Sequence, residues 1–375
     1  LKDELLKKDL FAIGAPHLDT DVMARARTLF ARVLEAPGGL RIQTIHAFAG
    51  SLLASFPVEA GVSPGFVTLD DRSDRVLRQR VLAEAVSDAE AEGDAQFLAD
   101  LEALGVRMGE GGALALIGRL MARGGQLDVF SSREAILPRL KRFLDVPADG
   151  PVEAVLAEAC AEFDCREIEA IVAANRVWGT GTGLGFCDVL AAWLARNGTE
   201  RAATLDDLLA VVATRTGDPR TVYAGQEKAD PDYAAHAERL RAAVAALIDL
   251  RQRAALAERL AGALRVGWTL ARRFVTEKRR LGAVDYDDLI DRAARLLDTE
   301  GMGAWVRYKL DQRIDHVLVD EAQDTNARQW TIARRLTEEY FAGEGAAEGC
   351  RTMFAVGDFK QAIFSFQGTD PQEFS

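Results

Sequence analysis

Apolar positions along the chain fall into two rhythms, one helical and one strand-like, and their order sets the expected architecture. A helical run over residues 22–34 ends at Pro37-Gly38-Gly39 and gives way to a β-like stretch over 40–45. A second apolar run, 48–56, predicts a helix stopped at Pro57. Phe66-Val67-Thr68-Leu69 predicts a short strand, with Asp70 or Asp71 placed to cap the helix that follows. From about residue 72 to 268 the chain is rich in Ala, Leu and Arg. Val76, Leu77, Val81, Leu82 and Ala85 recur at helical spacing, as do Leu240, Val244, Leu247 and Ile248. This predicts an all-helical region, broken by loops at 109–112, 147–150, 179–185 and 216–231.

Beyond about residue 269 the strand rhythm returns. A helix through Phe274 leads to Val284-Asp285-Tyr286-Asp287-Asp288-Leu289-Ile290, where Asp285 can cap a new helix. Two short apolar runs follow, His316-Val317-Leu318-Val319 and Thr352-Met353-Phe354-Ala355-Val356, separated by a helical stretch over 329–341. Strand, helix and strand in that order predict a parallel α/β sheet. The expected fold class is therefore α/β: one parallel-sheet domain, 1–71 with 269–375, interrupted by a large all-helical insertion, 72–268.

Composition narrows the function classes. The 375 residues are 49% hydrophobic and 28% charged, as in a soluble globular protein with two or three domains. No run of about 18 apolar residues exists, so no membrane span is expected, and the N-terminus lacks the layout of a secretory signal. Cys160, Cys165, Cys187 and Cys350 form no Cys-x-x-Cys pair, which favours reduced thiols in the cytoplasm over a metal site. A formal net charge of −12 argues weakly against a nucleic-acid partner overall but says little about one groove.

The chemistry concentrates at the two predicted strand ends. Val319-Asp320-Glu321-Ala322-Gln323-Asp324-Thr325 puts two carboxylates at the carboxyl edge of a parallel sheet, where open α/β folds bind ligands. Nucleotide hydrolysis needs a hard-oxygen ligand for Mg²⁺ and a group that orients the attacking water, so Asp320 is the metal-side candidate and Glu321 the water-side candidate. At the next strand end, Val356-Gly357-Asp358-Phe359-Lys360-Gln361 supplies Gln361, which can hydrogen-bond a terminal phosphate without adding charge. Phe364 and Phe366 follow; such aromatics pack in cores or stack on single-stranded bases, at roughly 1–3 kcal/mol per base. Thr44 and His46, at a strand-to-helix junction, suit phosphate contact or contact with a neighbouring motif.

Two basic clusters add to this. Arg265, Arg272, Arg273, Lys278, Arg279 and Arg280 form one, with Arg272 and Arg279 seven apart on one helix face; Arg133, Arg139, Lys141 and Arg142 form the other. Each suits either a phosphate backbone or a solvated face balanced by nearby acids such as Glu277.

Taken in order, Thr44-Ile45-His46-Ala47-Phe48, Gly65-Phe66-Val67-Thr68-Leu69-Asp70, Val284-Asp285-Tyr286-Asp287-Asp288-Leu289-Ile290 and the two strand-end motifs resemble superfamily-one UvrD/Rep/RecB-type DNA helicases. The wording of 37–48 is most similar to the AddA helicase–nuclease subunits of bacterial AddAB double-strand-break repair complexes. The match covers about a third of the chain, at its two ends. The resemblance implies a RecA-like P-loop NTPase domain, here partial, working with ATP and Mg²⁺ on single-stranded and duplex DNA beside an AddB-like nuclease–helicase partner. It implies that Asp320 holds Mg²⁺, that Glu321 polarises the hydrolytic water, that Gln323 and Asp324 link this centre to neighbouring motifs, and that Gln361 senses the γ-phosphate. Thr44, His46, Phe364 and Phe366 would lie on the single-strand path, and the resemblance tilts Arg272 and Arg279 toward DNA.

Departures from the family pattern are informative. Where the family reads Lys-Gln-Ser-Ile-Tyr with a later Arg-Gly, this chain has Ala362, Phe364 and Gln367; the stacking face survives and a cationic donor is lost. No Gly-Lys-Thr or Gly-Lys-Ser occurs, so the phosphate-cradling loop is missing from these residues. The first residue is not Met, and the expectation is a piece of a longer helicase, inactive alone, with its P-loop upstream and its second motor and nuclease domains downstream. A plain repair helicase without a nuclease, and a non-catalytic binding module that keeps the motor fold, are the alternatives. The helical middle is expected to contact duplex DNA or a partner.

Overall fold

A computed structural model of the chain describes residues 2–14, 19–35, 42–147, 150–311, 314–342 and 351–358. The chain divides into two compact units, Leu1–Asp71 with Arg279–Ser375, and Arg72–Lys278.

In the first unit, two capped helices make the main core. Thr44 has extended backbone geometry and its hydroxyl oxygen accepts the Ala47 N–H at 3.2 Å, which starts the helix Ile45–Ser55. The β-like stretch expected over 40–45 is thus not a strand in its described part: residues 42–44 have no strand partner among the described residues and lead into a helix cap. Asp285 starts the helix Tyr286–Asp298 by a capping box, accepting the Asp288 N–H at 2.8 Å while the Asp288 carboxylate accepts the Asp285 N–H at 3.3 Å. Ala49, Leu52 and Leu53 of the first helix then bury with Leu289, Ile290, Ala293, Leu296 and Leu297 of the second, joined by Val306 and Ile332. Each such leucine contributes about 1.5–3 kcal/mol by leaving water.

The strands come in two parallel pairs among the described residues. β1 (Val67–Thr68) pairs with β2 (Ala283–Val284), and β3 (His316–Val319) pairs with β4 (Thr352–Ala355) in the register His316 to Thr352. The helix Ala327–Ala342 links the second pair, and its Trp330 and Ala333 pack on Val319, Met353 and Ala355. Asn326 and Gln329 exchange reciprocal hydrogen bonds at 2.9 and 3.0 Å across its first turn.

The second unit is helical, and most of the expected apolar stripe is buried: Leu77, Val81 and Ala85 are, as are Leu240, Val244 and Ile248, while Leu82 and Leu247 are partly buried and Val76 faces solvent. At the glycines the expected loops prove shorter than predicted. Gly109, with non-helical φ 69° and ψ 165°, divides Ala95–Ala122 into two helices, so the break expected over 109–112 is a kink at its first residue. Gly179 closes the helix Arg166–Trp178 in the left-handed conformation, Thr180 caps the next, and the remaining glycines to Gly185 lie within Gly181–Leu194. The helix Tyr233–Arg280 runs unbroken for 48 residues, about 72 Å at 1.5 Å per residue. No helix of the described residues is long and apolar enough to cross a membrane.

Close approaches hold this unit together. Arg201 donates to the carbonyls of Cys160, Trp193 and Leu194 while its guanidinium lies 4.8 Å from the Trp193 ring centre. Gly198 sits so close to the helix Val152–Ala161 that a Cβ there would fall 2.1 Å from the Ala157 carbonyl oxygen. We therefore expect Gly198→Ala to lower unfolding free energy by about 2 kcal/mol or more. Gly105→Ala, in an open helical position with no neighbour within 4 Å, should instead raise it by about 0.5–1 kcal/mol. Denaturant midpoints of both variants check the pair.

Candidate functional site

The acidic motif turns sharply as it leaves β3. Glu321 adopts φ 52° and ψ 43°, a left-handed conformation unusual for a residue with a Cβ, and begins a single 3-10 turn, Ala322–Asp324. Three bonds hold it there. Its N–H donates to the Asp320 carboxylate at 3.0 Å, its carbonyl accepts the Asp324 N–H at 2.9 Å, and its carboxylate accepts the Gln323 side-chain amide at 2.5 Å. The turn is stitched to β4 by Ala322 N–H to the Val356 carbonyl, 2.8 Å, and Val356 N–H to the Val319 carbonyl, 2.8 Å.

Gln323, 2% exposed, lies beneath this turn. Its amide oxygen accepts the Asp358 backbone N–H at 3.0 Å. Gly357 makes the approach possible, since a Cβ there would stand 2.6 Å from that oxygen. Asp320, Glu321 and Asp324 are solvent-exposed, so the strand edge offers hard oxygen atoms above a buried polar support. No group of three or more His, Cys, Asp or Glu able to hold a metal ion occurs among the described residues. The donor set nevertheless fits Mg²⁺, which takes one or two protein carboxylates and completes its shell with water and phosphate oxygens.

Thr44 and His46 come together at a second place, a cleft of about 600 Å³. One wall is the small-residue stripe Ala47, Gly50, Ser51 and Ala54, which one face of the Ile45–Ser55 helix presents at spacings of three and four. The other is built from Gly65, Phe66 and Thr68 with Tyr286 and Leu289. The His46 and Tyr286 rings meet edge to face, centroids 5.4 Å apart. Burial lowers the His46 pKa below its ordinary value, opposed by the nearby Asp287 carboxylate. Thr44 spends its hydroxyl oxygen on the helix cap, a role the motif did not announce.

The basic clusters look different once folded. Arg265 grips Asp100 at 2.6 and 2.8 Å, Arg273 pairs with Asp88 at 2.5 Å, and Lys278 is buried beside the Phe274 ring. Arg133 is bound to Asp94, and buried Lys141 donates to the Gly150 carbonyl at 2.9 Å. Arg265, Arg273 and Arg133 thus neutralise acids of this chain, while Arg139 and Lys141 donate to backbone carbonyls. Arg272 and Arg279 remain exposed, the former 4.5 Å above the Trp268 ring and 3.9 Å from Asp128. Gln361, Phe364 and Phe366 lie outside the described residues. Tyr286 and Phe66 join the cleft although the sequence marks them only as members of motifs. A pattern of alternating acids around Tyr286 signals a helix cap, and nothing in it announces a cleft wall.

Comparison with known proteins bears on both places. The sequence profile of the UvrD/REP helicase N-terminal domain matches residues 22–375. The chain is 41% identical over 93 residues to the RecB component of the RecBCD enzyme of Mycolicibacterium smegmatis, covering 25% of this chain and 8% of that protein. It is 36% identical over 106 residues to the A component of the ATP-dependent helicase/nuclease of Latilactobacillus sakei, covering 28% and 11%. The protein of the same description from Listeria monocytogenes is 35% identical over 104 residues, covering 28% and 8%. The matched stretch thus spans about a tenth of each relative's length.

The depressed His46 pKa has a measurable consequence. The unfolded chain takes up a proton at this site first as pH falls below about 6.5, so stability declines through that window and down to the lower folded-state value. We expect urea midpoints to fall between about pH 7.5 and about pH 5 by less in His46→Gln than in the wild type. Equal declines would remove His46 as a source of the effect.

Proposed function

Because the chain belongs to the UvrD/REP helicase N-terminal domain family, we propose that it forms part of the ATP-driven motor of a DNA helicase, with the β3 edge as half of the nucleotide site. The observation that carries this reading is the exposed Asp320-Glu321 pair at the carboxyl end of a parallel strand, held over a buried Gln323. In this reading the Leu1–Asp71 and Arg279–Ser375 parts make one RecA-like motor domain, with Arg72–Lys278 as its helical insertion. The names carried by the relatives, RecB and the A components of helicase/nucleases, favour an AddA-like protein of double-strand-break repair that works beside an AddB-like partner. A role in double-strand-break repair would go with a cytoplasmic location.

Each residue then has a task. Asp320 is the carboxylate for Mg²⁺, which would offset phosphate charge. Glu321 orients and accepts a proton from the attacking water. Gln323 and Asp324 tie this pair to its surroundings, and Gln361 touches the terminal phosphate. Thr44, His46 and Tyr286 line a cleft whose aromatic faces and small-residue wall suit the bases of a single strand. Phe364, Phe366, Arg272 and Arg279 are further candidates for DNA contact, the aromatics by stacking and the arginines through phosphate.

Having no Gly-Lys-Thr or Gly-Lys-Ser, these 375 residues do not hydrolyse ATP by themselves. In a longer polypeptide that supplies the phosphate loop, Glu321→Gln should lower DNA-stimulated hydrolysis about 100-fold or more. Robust stimulated hydrolysis by the 375 residues alone, lost in Glu321→Gln, would overturn the claim of inactivity. Tyr286→Ala should weaken single-strand binding by about 1–3 kcal/mol, read by fluorescence anisotropy at fixed salt; unchanged affinity would take the cleft off the strand path.

A further inference from the structure

The cleft beside the Ile45–Ser55 helix has no Lys and no Arg among the described residues that line it. His46 is the one lining side chain there that can become a cation. It is half-buried, its ring meets Tyr286 edge to face at 5.4 Å, and neither ring nitrogen has a hydrogen-bond partner among the described residues. Ser51, by contrast, already donates its hydroxyl to the Ala47 carbonyl at 2.9 Å. From the helix Tyr286–Asp298, the Tyr286 phenol and the Asp287 carboxylate are the titratable groups that reach His46. Residues 65–68 on the opposite wall bring none.

In the chain by itself, burial holds the imidazole below its ordinary pKa and Asp287 only partly opposes this. A phosphodiester entering the cleft meets that carboxylate and no fixed cation. Charge placed in a half-buried site without a partner is costly, and a proton on His46 is the nearest remedy.

We propose that His46 takes a proton from solvent when a single strand occupies the cleft, the imidazolium then donating to a phosphodiester oxygen, so that strand binding is linked to pH. The inference rests on the reading of the cleft as part of the strand path and adds the charge that such a contact needs. Linkage is reciprocal: a phosphate that favours the imidazolium is itself held more tightly as protons become available. Affinity therefore rises as pH falls from the bound-state pKa to the lower free-state one, and levels off below it.

The test uses the 375-residue chain and a short oligothymidylate. Lowering pH from about 8 to about 6 should tighten wild-type binding about 3- to 10-fold and His46→Gln binding less than about 2-fold, read by fluorescence anisotropy at fixed salt. An uncharged methylphosphonate strand should show no such response. In the wild type, the His46 imidazole resonances should titrate at higher pH in the complex than in the free chain, a readout independent of any variant. An unmoved or lowered titration, with the Ala47 and Gly50 amide resonances displaced by the strand, overturns the proposal and leaves the strand path standing. Equal pH responses in wild type and His46→Gln, or a full response to the uncharged strand, do the same. Ala47 and Gly50 resonances untouched by the strand would instead remove the cleft from the strand path, and the proposal with it.

Discussion

The first unit depends on one closure: segments on either side of the Arg72–Lys278 unit must find each other. Val67 pairs with Ala283 and Thr68 with Val284, and the Leu52 and Leu53 side chains bury with Leu289, Leu296 and Leu297. Loop-closure entropy makes this less costly than it looks, since each doubling of the intervening length adds only about 0.6 kcal/mol. A handful of buried leucines outweighs that, at about 1.5–3 kcal/mol each. The cleft exists only because of this closure. Thr44 and His46 come from before the insertion, Tyr286 and Leu289 from after it.

Much of the local structure was legible, wherever a side chain acts on its own backbone. Asp285 caps the helix its position predicts, the stripe Leu77, Val81 and Ala85 is buried, and the apolar runs before Asp320 and before Gly357 are strands. Failures cluster where one residue type serves two ends. Glycine reads as a loop, yet at Gly109 the break is a one-residue kink between two helices and at Gly179 it closes one. Threonine at 44 reads as the end of a strand, yet it caps a helix. Basic clusters read equally as a surface for phosphate or as a face balanced by nearby acids, and Arg265, Arg273 and Arg133 are held by Asp100, Asp88 and Asp94, which are remote in sequence. Only folding supplies those partners, and that is why the acids and bases could not be matched beforehand.

The acidic edge shows how a sheet gives an exposed charge a fixed direction. Parallel strands end with unpaired backbone groups, and here the Ala322 and Val356 N–H groups are both used to stitch the turn to the neighbouring strand. The carboxylates of Asp320 and Glu321 are thereby displayed to solvent from a turn whose backbone is hydrogen-bonded to its neighbour. Residue pattern revealed the carboxylates and the resemblance gave Gln323 a linking role, but Gly357 acquires meaning only when the two strand ends lie side by side.

Ala47, Gly50, Ser51 and Ala54 make a wall without long side chains. Such a wall offers almost no donors or acceptors with which to interrogate the edge of a guest. Under the proposed function it would discriminate by thickness, admitting a flat group of the right depth whatever atoms decorate its rim. A surface of this kind would be indifferent to the order in which guests arrive, the property a machine needs if it is to move along a heteropolymer without stalling at particular letters.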